Sequence, residues 1–206
     1  MNPSVDTLRA TFGTAIGRAT EARDGETVVH VRPDELRKMM QWLRDTPGQR
    51  YDYLVDVTAV EYRDRERPLE VVYFLRALER RVDLRVKVDL DPRGELAVDS
   101  VTPLWAGADW LEREVYDMFG VTFRGHPDLR RILMWETYAE GHPLRKEFPL
   151  RGRFSRAEQV RQALAANPEA HYSLEELSIV DAYHELPADM KERLERGERG
   201  TLPYSE

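Results

Sequence analysis

A change in the spacing of apolar residues near Tyr51 constrains the fold of this chain more than any other sequence feature. From there to Val101, apolar and polar residues alternate, which is typical of strands with one buried face. The predicted strands cover residues 51–61, 69–77, 82–90 and 96–101. Charged or Pro/Gly turns of a few residues connect them, and short connections of this kind join antiparallel neighbours. The region therefore predicts an antiparallel meander.

Helical spacing of apolar residues precedes the meander. The first predicted helix, residues 4–22, has apolar side chains three or four residues apart, at Leu8, Phe12, Ile16 and Ala19. A β-branched run at residues 27–31 predicts a short strand. Pro33, a favoured first residue of helices, then starts a second helix that ends at Pro47. We therefore expect an α+β domain in which two N-terminal helices pack on a mainly antiparallel sheet of four to five strands.

A further helix, near residues 108–119, concentrates charged residues beside apolar ones. On a helical projection, one apolar stripe is formed by Leu111, Val115 and Phe119. Glu114 lies beside this stripe, so we expect it to be buried and to pair with a cation. The candidate partners are His126, Arg130 and Arg131. Glu112 is two residues away and on another face, so we expect one buried and one surface acid rather than a catalytic pair.

Two Gly-His-Pro turns follow this helix, around His126 and His142. Each precedes a pair of basic residues, Arg130 with Arg131 and Arg145 with Lys146. A general base needs a nucleophile and an orienting partner, and the chain offers neither a cysteine nor a Gly-x-Ser-x-Gly elbow. We expect the turns to direct basic side chains at neighbouring acids. A free-standing enzyme that uses one of these histidines as its base is the alternative.

The chain has no cysteine among its 206 residues. This excludes disulfides, thiolate nucleophiles, and zinc sites or iron–sulfur clusters held by its own cysteines. Its five histidines are not spaced for a helical metal site, and no Gly-rich phosphate loop follows a predicted strand. We therefore expect no metal, catalytic or cofactor-binding residues. The net charge of −7 argues against a general nucleic-acid binder.

Charge divides the C-terminal part of the chain. Residues 121–153, here called the basic collar, carry seven basic and four acidic residues, whereas residues 154–206, the acidic tail, carry six and eleven. The collar lacks the interleaved aromatics of a nucleic-acid patch, so a protein partner explains it better. The tail has predicted helices at 156–166 and 188–195 and apolar anchors over 172–186, too few to close a core. We expect a domain at residues 1–150 and a tail that is either disordered or, as the spacing of the anchors favours, extended along a partner.

Composition also bears on where the chain resides. No run of about eighteen apolar residues predicts a membrane span, and the first thirty residues are too charged for a secretory signal. We expect a cytoplasmic chain that meets a membrane only through a partner. Arginine outnumbers lysine by 27 to 4, and asparagine and glutamine are scarce, which fits a thermophile, although a GC-rich genome produces the same arginine bias.

Three stretches resemble the C subunit of the proton-pumping NADH:quinone oxidoreductase, respiratory complex I. They are WLEREVYDMFG at 110–120, FRGHPDLRRILM at 123–134 and GHPLRKEFP at 141–149. The resemblance covers about residues 5–150 and implies a non-catalytic, architectural subunit of the hydrophilic peripheral arm, on the cytoplasmic side of the inner membrane. Its implied partners are the large quinone-site subunit and neighbouring iron–sulfur subunits, which would carry the flavin, clusters and quinone.

The resemblance also implies a set of structural or interface residues. These are Glu112, Arg113, Glu114, Asp117, His126, Arg130, Arg131, Gly141, Pro143 and Arg145. Subunits of related membrane-bound hydrogenases share parts of the same signature. An equivalent subunit in a complex of that type is therefore the alternative within this class, and the electron donor stays open.

Overall fold

A five-stranded sheet forms the centre of the chain. Its strands are β1 (Ile16–Glu21), β2 (Thr27–Val31), β3 (Tyr53–Glu61), β4 (Leu69–Ala77) and β5 (Val82–Leu90). They lie in the order β1-β2-β5-β4-β3, and every neighbouring pair is antiparallel except β2 with β5. The other elements are α1 (Ser4–Phe12), α2 (Leu36–Asp45), β6 (Ala97–Asp99), α3 (Ala108–Phe119), β7 (Thr122–Arg124) and α4 (Arg156–Ala166). The predicted α+β class with a mainly antiparallel sheet is confirmed.

The protein is described here from a computed structural model. The described residues are 2–23, 25–91, 93–150, 152–166, 188 and 191. The chain divides into two compact units, Met1–Ser155 and Arg156–Glu206. In the second unit the predicted helix 156–166 is present as α4, whereas the predicted anchors at 172–186 and most of the predicted helix 188–195 lie outside the described residues. Within the described ranges, no helix is both long and apolar enough to cross a membrane.

The predicted helix over residues 4–22 is correct only for its first half. It ends at Phe12, because Gly13 adopts a positive φ of 52° that breaks the helical path. After a 3-10 turn the chain continues as β1, which pairs antiparallel with β2. The spacing that suggested a long helix is compatible with both structures, because Ile16 and Ala19 suit a strand as well as a helix. Because only a few residues connect β1 to β2, the two segments can pair as a hairpin, and this pairing favours a strand over a longer helix.

The fourth predicted strand does not join the central sheet. It shortens to β6, which pairs in parallel with β7 in a separate two-stranded sheet. The edge of β5 that a continued meander would use is occupied by β2, whose five residues are all buried. A strand with both faces buried is typical of a central position with parallel neighbours. The expected run of antiparallel neighbours is therefore correct only from β3 to β5.

One face of the sheet builds the hydrophobic core with α1, α2 and α3. The strand residues in this core alternate along β3, β4 and β5 as Val57, Ala59, Val71, Tyr73, Leu75, Leu84, Val86 and Val88. Alternation places the intervening residues on the opposite face, where Thr58, Val72 and Lys87 lie side by side in register. The core thus holds α3 on one side of the sheet, and α3 carries most of the predicted site residues.

Candidate functional site

Helix α3 is sandwiched between the hydrophobic core and a segment of the basic collar. Its core side is formed by Ala108, Glu112, Val115 and Phe119, all buried. The opposite side is formed by Trp110, Arg113 and Asp117, at spacings of three and four residues. Residues 130–134, here called the pinned segment, run along this second side. Two buried acids therefore point in opposite directions from one helix.

Asp117 fixes the pinned segment through one carboxylate. Its Oδ2 accepts hydrogen bonds from the backbone N–H groups of Ile132 (3.0 Å), Leu133 (2.8 Å) and Met134 (2.8 Å). Its Oδ1 accepts one from Arg131 Nη1 at 2.7 Å. Burial alone raises the pKa of Asp117, but these four donors together outweigh it and hold the pKa below its usual value. Successive N–H groups that converge on one oxygen form an anion-binding nest.

Arg131 connects the pinned segment to the second Gly-His-Pro turn. Besides Asp117, its guanidinium donates to the carbonyl oxygen of Gly141 at 3.0 Å and lies over the ring of Tyr138, 5.3 Å from its centroid. Gly141 has a φ of 119°, a conformation that a residue with a side chain rarely adopts. The prediction that the turns direct arginines at acids is met here, and it identifies the acid as Asp117 rather than Glu114.

Gly120 allows the second turn to lie against the end of α3. It caps the helix in the left-handed region, with a φ of 77° and its N–H bonded to the carbonyl of Tyr116. The ring of His142 packs so closely that a Cβ on Gly120 would lie 2.6 Å from it. His142 Nδ1–H donates to the carbonyl oxygen of Asp117 at 2.9 Å. His142 therefore packs against the C-terminal end of α3 and satisfies one of its carbonyl oxygens.

We expect Gly120→Ala to destabilise the first unit by about 2–4 kcal/mol, since the left-handed conformation and the overlap with His142 act together. Urea unfolding of the full chain, followed by circular dichroism, measures this. Gly107→Ala, at a position where an added Cβ meets nothing within 4 Å, is the matched control and should leave stability within about 0.5 kcal/mol. Equal losses in the two variants would contradict the close-packing explanation.

Arg145, after the second turn, reaches the end of β3. Its Nε lies 3.5 Å from Glu61 Oε1, with both side chains about nine-tenths buried. The backbone N–H of Lys146 donates to Glu61 Oε2 at 2.6 Å, and the N–H of Leu144 donates to the carbonyl of Met118 at 3.0 Å. Residues 142–148 are therefore attached both to the sheet and to α3, although they contain no helix or strand.

Glu112, rather than Glu114, is the buried glutamate of α3. Its Oε2 accepts from Ser100 Oγ and its Oε1 from the backbone N–H of Val101, both at 2.7 Å. Burial raises the pKa of Glu112 to about 7, the two hydrogen bonds act against this rise, and the nearby charge of Asp109 adds to it. Glu114 is exposed, and within the described ranges it has no ion pair. The expectation of a buried Glu114 is therefore wrong.

The predicted apolar stripe of α3 lies on the buried side, with Val115 and Phe119 in the core and Leu111 packed against it, but the neighbouring positions differ from the prediction. Trp110, expected beside the stripe, is 63% exposed, whereas Ala108 and Glu112 lie in the core. The projection alone favours apolar residues for the buried side, and it has no information about donors elsewhere in the chain. Ser100 and Val101, just after β6, supply those donors, so a glutamate is tolerated there.

His126 is held inside the structure and has no free lone pair. The backbone N–H of Asp128 donates to its Nδ1 at 3.1 Å, so the ring proton is on Nε2, which lies 3.1 Å from the carbonyl oxygen of Asp109. The side chain is fully buried. A general base needs an accessible lone pair, so this geometry gives no support to the alternative of a His126-dependent enzyme.

The outer side of α3 and the pinned segment expose two apolar side chains, whereas Arg113 on the same side of the helix is buried. Trp110 is 63% and Leu133 60% exposed. The guanidinium of Arg113 stacks on Trp110, 4.9 Å from the ring centroid, and its Nε donates to the carbonyl oxygen of Arg130 at 3.2 Å. Its two terminal nitrogens have no acceptor among the residues that the structure describes. Arg130 itself is exposed and bonds Asp128 at 2.8 Å.

One cluster elsewhere has the residue types of a metal site. His30, Glu70 and Asp89 on the open sheet face have possible ligand atoms within 4.8 Å of one another. Arg18 lies 3.0 Å from His30 Nε2, and Glu70 binds Lys87 and Arg65. His30 Nδ1 in turn lies 3.0 Å from Asp89. Three cations already neutralise this cluster, so it is a network of charges rather than a site with free ligands.

Most of the predicted site residues converge on α3 or on the segment against it. Pro143 is half-buried in the second turn, and Glu114 alone of the predicted acids points to solvent. Sequence reasoning missed Glu61, Ser100, Asp109 and Gly120. Gly120 carried a signal, since a glycine directly after a helical pattern is a common C-cap. The other three lie in strands, turns and first helical turns without any distinctive spacing.

Comparison with known proteins adds a consistent result. Residues 29–154 match the family described as respiratory-chain NADH dehydrogenase, 30 Kd subunit. The C subunit of NADH-quinone oxidoreductase from Citrifermentans bemidjiense is 43% identical over 151 residues, 73% of this chain and 91% of the relative. That of Roseiflexus castenholzii is 45% identical over 150 residues, 72% of this chain and 84% of the relative. The solved structure of a trypsin-resistant fragment (1–134) of Nqo5 aligns with a TM-score of 0.53 and 27% identity, over 61% of this chain and 96% of the fragment.

Proposed function

Because this chain belongs to the 30 kDa subunit family of respiratory-chain NADH dehydrogenase, we propose that it is an architectural subunit of the peripheral arm of NADH:quinone oxidoreductase. In this role it supports electron transfer from NADH to quinone, while flavin, iron–sulfur clusters and quinone are bound by other subunits. It supplies no catalytic residue. It lies on the cytoplasmic side of the membrane and is attached there only through its partners.

The pinned segment is the observation that carries this proposal. A stretch without regular secondary structure usually loses entropy when it binds a partner. Here residues 130–134 are already fixed by four hydrogen bonds to Asp117, which leaves Leu133 at the surface. Trp110 and Arg113 lie on the same side of α3. Tryptophan is among the residue types that dominate binding energy at protein interfaces, and Arg113, itself buried, stacks on the Trp110 ring from within the chain.

The internal contacts of the predicted site residues support a role in holding structure. Asp117, Arg131 and Gly141 are joined to one another, and Arg145 is joined to Glu61. His126 uses both ring nitrogens within the chain. A site of this kind positions a surface, and its buried histidine offers a substrate no accessible base. The large quinone-site subunit and neighbouring iron–sulfur subunits are the partners that we propose for that surface.

The acidic tail has a separate part in the proposal. A segment with this charge and so few large apolar residues is better suited to lie extended along a neighbouring subunit than to form a core of its own. Because the basic collar has the opposite charge, the two parts of the chain would approach different partner surfaces. In this proposal, the boundary that composition predicts at residues 150–154 separates a folded domain from a tail that lies along a neighbouring subunit.

We expect Trp110→Ala to reduce incorporation of the chain into the complex by about 30-fold, as removal of an interfacial hot spot costs about 2 kcal/mol or more. Arg113→Lys should have a smaller effect in the same direction, because the buried guanidinium supports Trp110 and the carbonyl of Arg130, and lysine keeps its charge but loses its planar fork. The measurement is co-purification of flavin and iron–sulfur subunits with a tagged full-length chain extracted from membranes.

Leu78→Ala is the matched control, since this leucine has similar exposure, at 55%, and lies between β4 and β5. It should co-purify the same partners at the level of the unchanged chain. If the unchanged chain brings down no such subunits, the proposed function fails. If it does and Trp110→Ala remains equal to it, only the assigned surface is wrong.

A further inference from the structure

We propose that Glu112 is a buried proton-binding site, and that its occupancy sets the position of the His126 turn against α3. This inference rests on the interior of the first unit and does not depend on the proposed function. Glu112 takes no part in the surface formed by Trp110 and the pinned segment, because it points into the core on the other side of the helix.

The first supporting observation is that Glu112 has too few donors to remain charged. It is fully buried and accepts two hydrogen bonds, both from neutral groups, Ser100 Oγ and the N–H of Val101. Asp117, five residues along the same helix, is equally buried and has three N–H donors and a guanidinium. A buried carboxylate without a cation is far less stable than its protonated form.

The second observation is the sign of the groups that face Glu112. Its own helix contributes Asp109, an acid, and the connection from β6 contributes Ser100 and Thr102, which are neutral. Tyr73, in β4, has a buried hydroxyl with no hydrogen-bond partner among the described residues. Its pKa is raised mainly by burial and further by the charge of Glu112. No lysine or arginine pairs with Glu112 in the described part of the chain.

Asp99 and His126 complete the set of facing groups. Asp99, in β6, also raises the pKa of Tyr73, although its own carboxylate is paired with Arg124 Nε at 2.9 Å. His126 places Nε2 at 4.0 Å from Glu112 Oε2, but its Nδ1 accepts the N–H of Asp128, which makes the ring neutral. Its remaining N–H faces two oxygens of Asp109, the carbonyl oxygen at 3.1 Å and Oδ1 at 3.2 Å. The whole environment thus favours a proton on Glu112, in agreement with the rise of its pKa to about 7.

The link between the proton and the turn follows from these distances. When Glu112 releases its proton, the nearest donor that can approach the new charge is His126 Nε2–H, 4.0 Å away. To form that bond, the ring must turn from Asp109, whose carbonyl oxygen lies 3.1 Å and whose Oδ1 lies 3.2 Å from Nε2. Because the ring also accepts the N–H of Asp128, the backbone before the pinned segment moves with it.

The test is a pH series of NMR spectra of the full chain with carbon-13 in its glutamate side chains, with the ring signals of His126 recorded as a reporter of the turn. Between pH 5 and 8.5 we expect one glutamate carboxyl to titrate near pH 7 and to disappear in Glu112→Gln. The ring signal of His126 should follow the same midpoint and lose that transition in the variant. Glu114→Gln, at the exposed position, should leave both transitions in place.

A second variant keeps the proton site testable if Glu112→Gln fails to fold. Ser100→Ala removes one donor to the charged form and should raise the midpoint of Glu112 by roughly half to one pH unit. If every glutamate titrates below about pH 5.5, the proton site is refuted. If Glu112 titrates near 7 while His126 shows no matching transition, the coupling to the turn is refuted.

Discussion

We expect Asp117→Ala to lower the free energy of unfolding of the first unit by about 3–5 kcal/mol, the largest effect of any single change in the site. The substitution removes one partner of a buried ion pair and leaves Arg131 without its acid. It also leaves the backbone N–H groups of Ile132, Leu133 and Met134 without their common acceptor. Each buried donor that loses its partner has its own desolvation cost.

Urea unfolding measures the overall loss, and amide hydrogen exchange locates it. In the unchanged chain the three amides of the pinned segment should exchange slowly, and in Asp117→Ala they should exchange at the rate of an open loop. Asp128→Ala is the control, because this exposed acid also pairs with an arginine, Arg130, and should cost less than about 1 kcal/mol. Slow exchange that persists in Asp117→Ala would show that other contacts hold the segment.

The second large effect is a dependence of stability on pH that arises from Glu112. Burial raises its pKa to about 7 in the folded chain, against 4.5 for the ordinary group. The folded state therefore keeps a proton that the unfolded chain releases. This contribution to stability is complete below pH 4.5 and is lost as pH rises through 7, and the difference corresponds to about 3 kcal/mol.

Glu112→Gln isolates this contribution from all other titrating groups. The glutamine can accept from the N–H of Val101 and donate to Ser100 Oγ, so both hydrogen-bonded positions remain satisfied. Relative to the variant, the unchanged chain should lose about 3 kcal/mol between pH 5 and 8.5, and the variant should be the more stable of the two at the upper end. Unfolding profiles that run parallel over this range would contradict the prediction.

Asp117 should behave in the opposite sense. Its folded pKa is below the ordinary value, so its contribution to stability is present above the unfolded pKa and is lost only as pH falls through the folded one. Two buried acids on one helix therefore give the first unit greatest stability in mildly acidic solution. The physical reason is the number and charge of their donors, since both carboxylates are removed from solvent to the same extent.

Local patterns predicted the regular elements well. The bounds of β2, β4, β5 and α4 agree with the predicted ranges, because alternation and helical spacing depend only on which way successive side chains point. The lack of cysteine and the three stretches of family signature also follow from the sequence without any structure. These features were enough to identify the fold class and the family.

Tertiary structure alone decided which glutamate is buried, where β6 pairs and how far the first helix extends. Each outcome depends on atoms that are distant in sequence: the donors of Ser100 and Val101 for Glu112, and the occupied edge of β5 for β6. Spacing cannot report such partners, because it describes one element at a time. A polar residue is buried where the rest of the fold brings donors to it, and only the assembled chain contains that information.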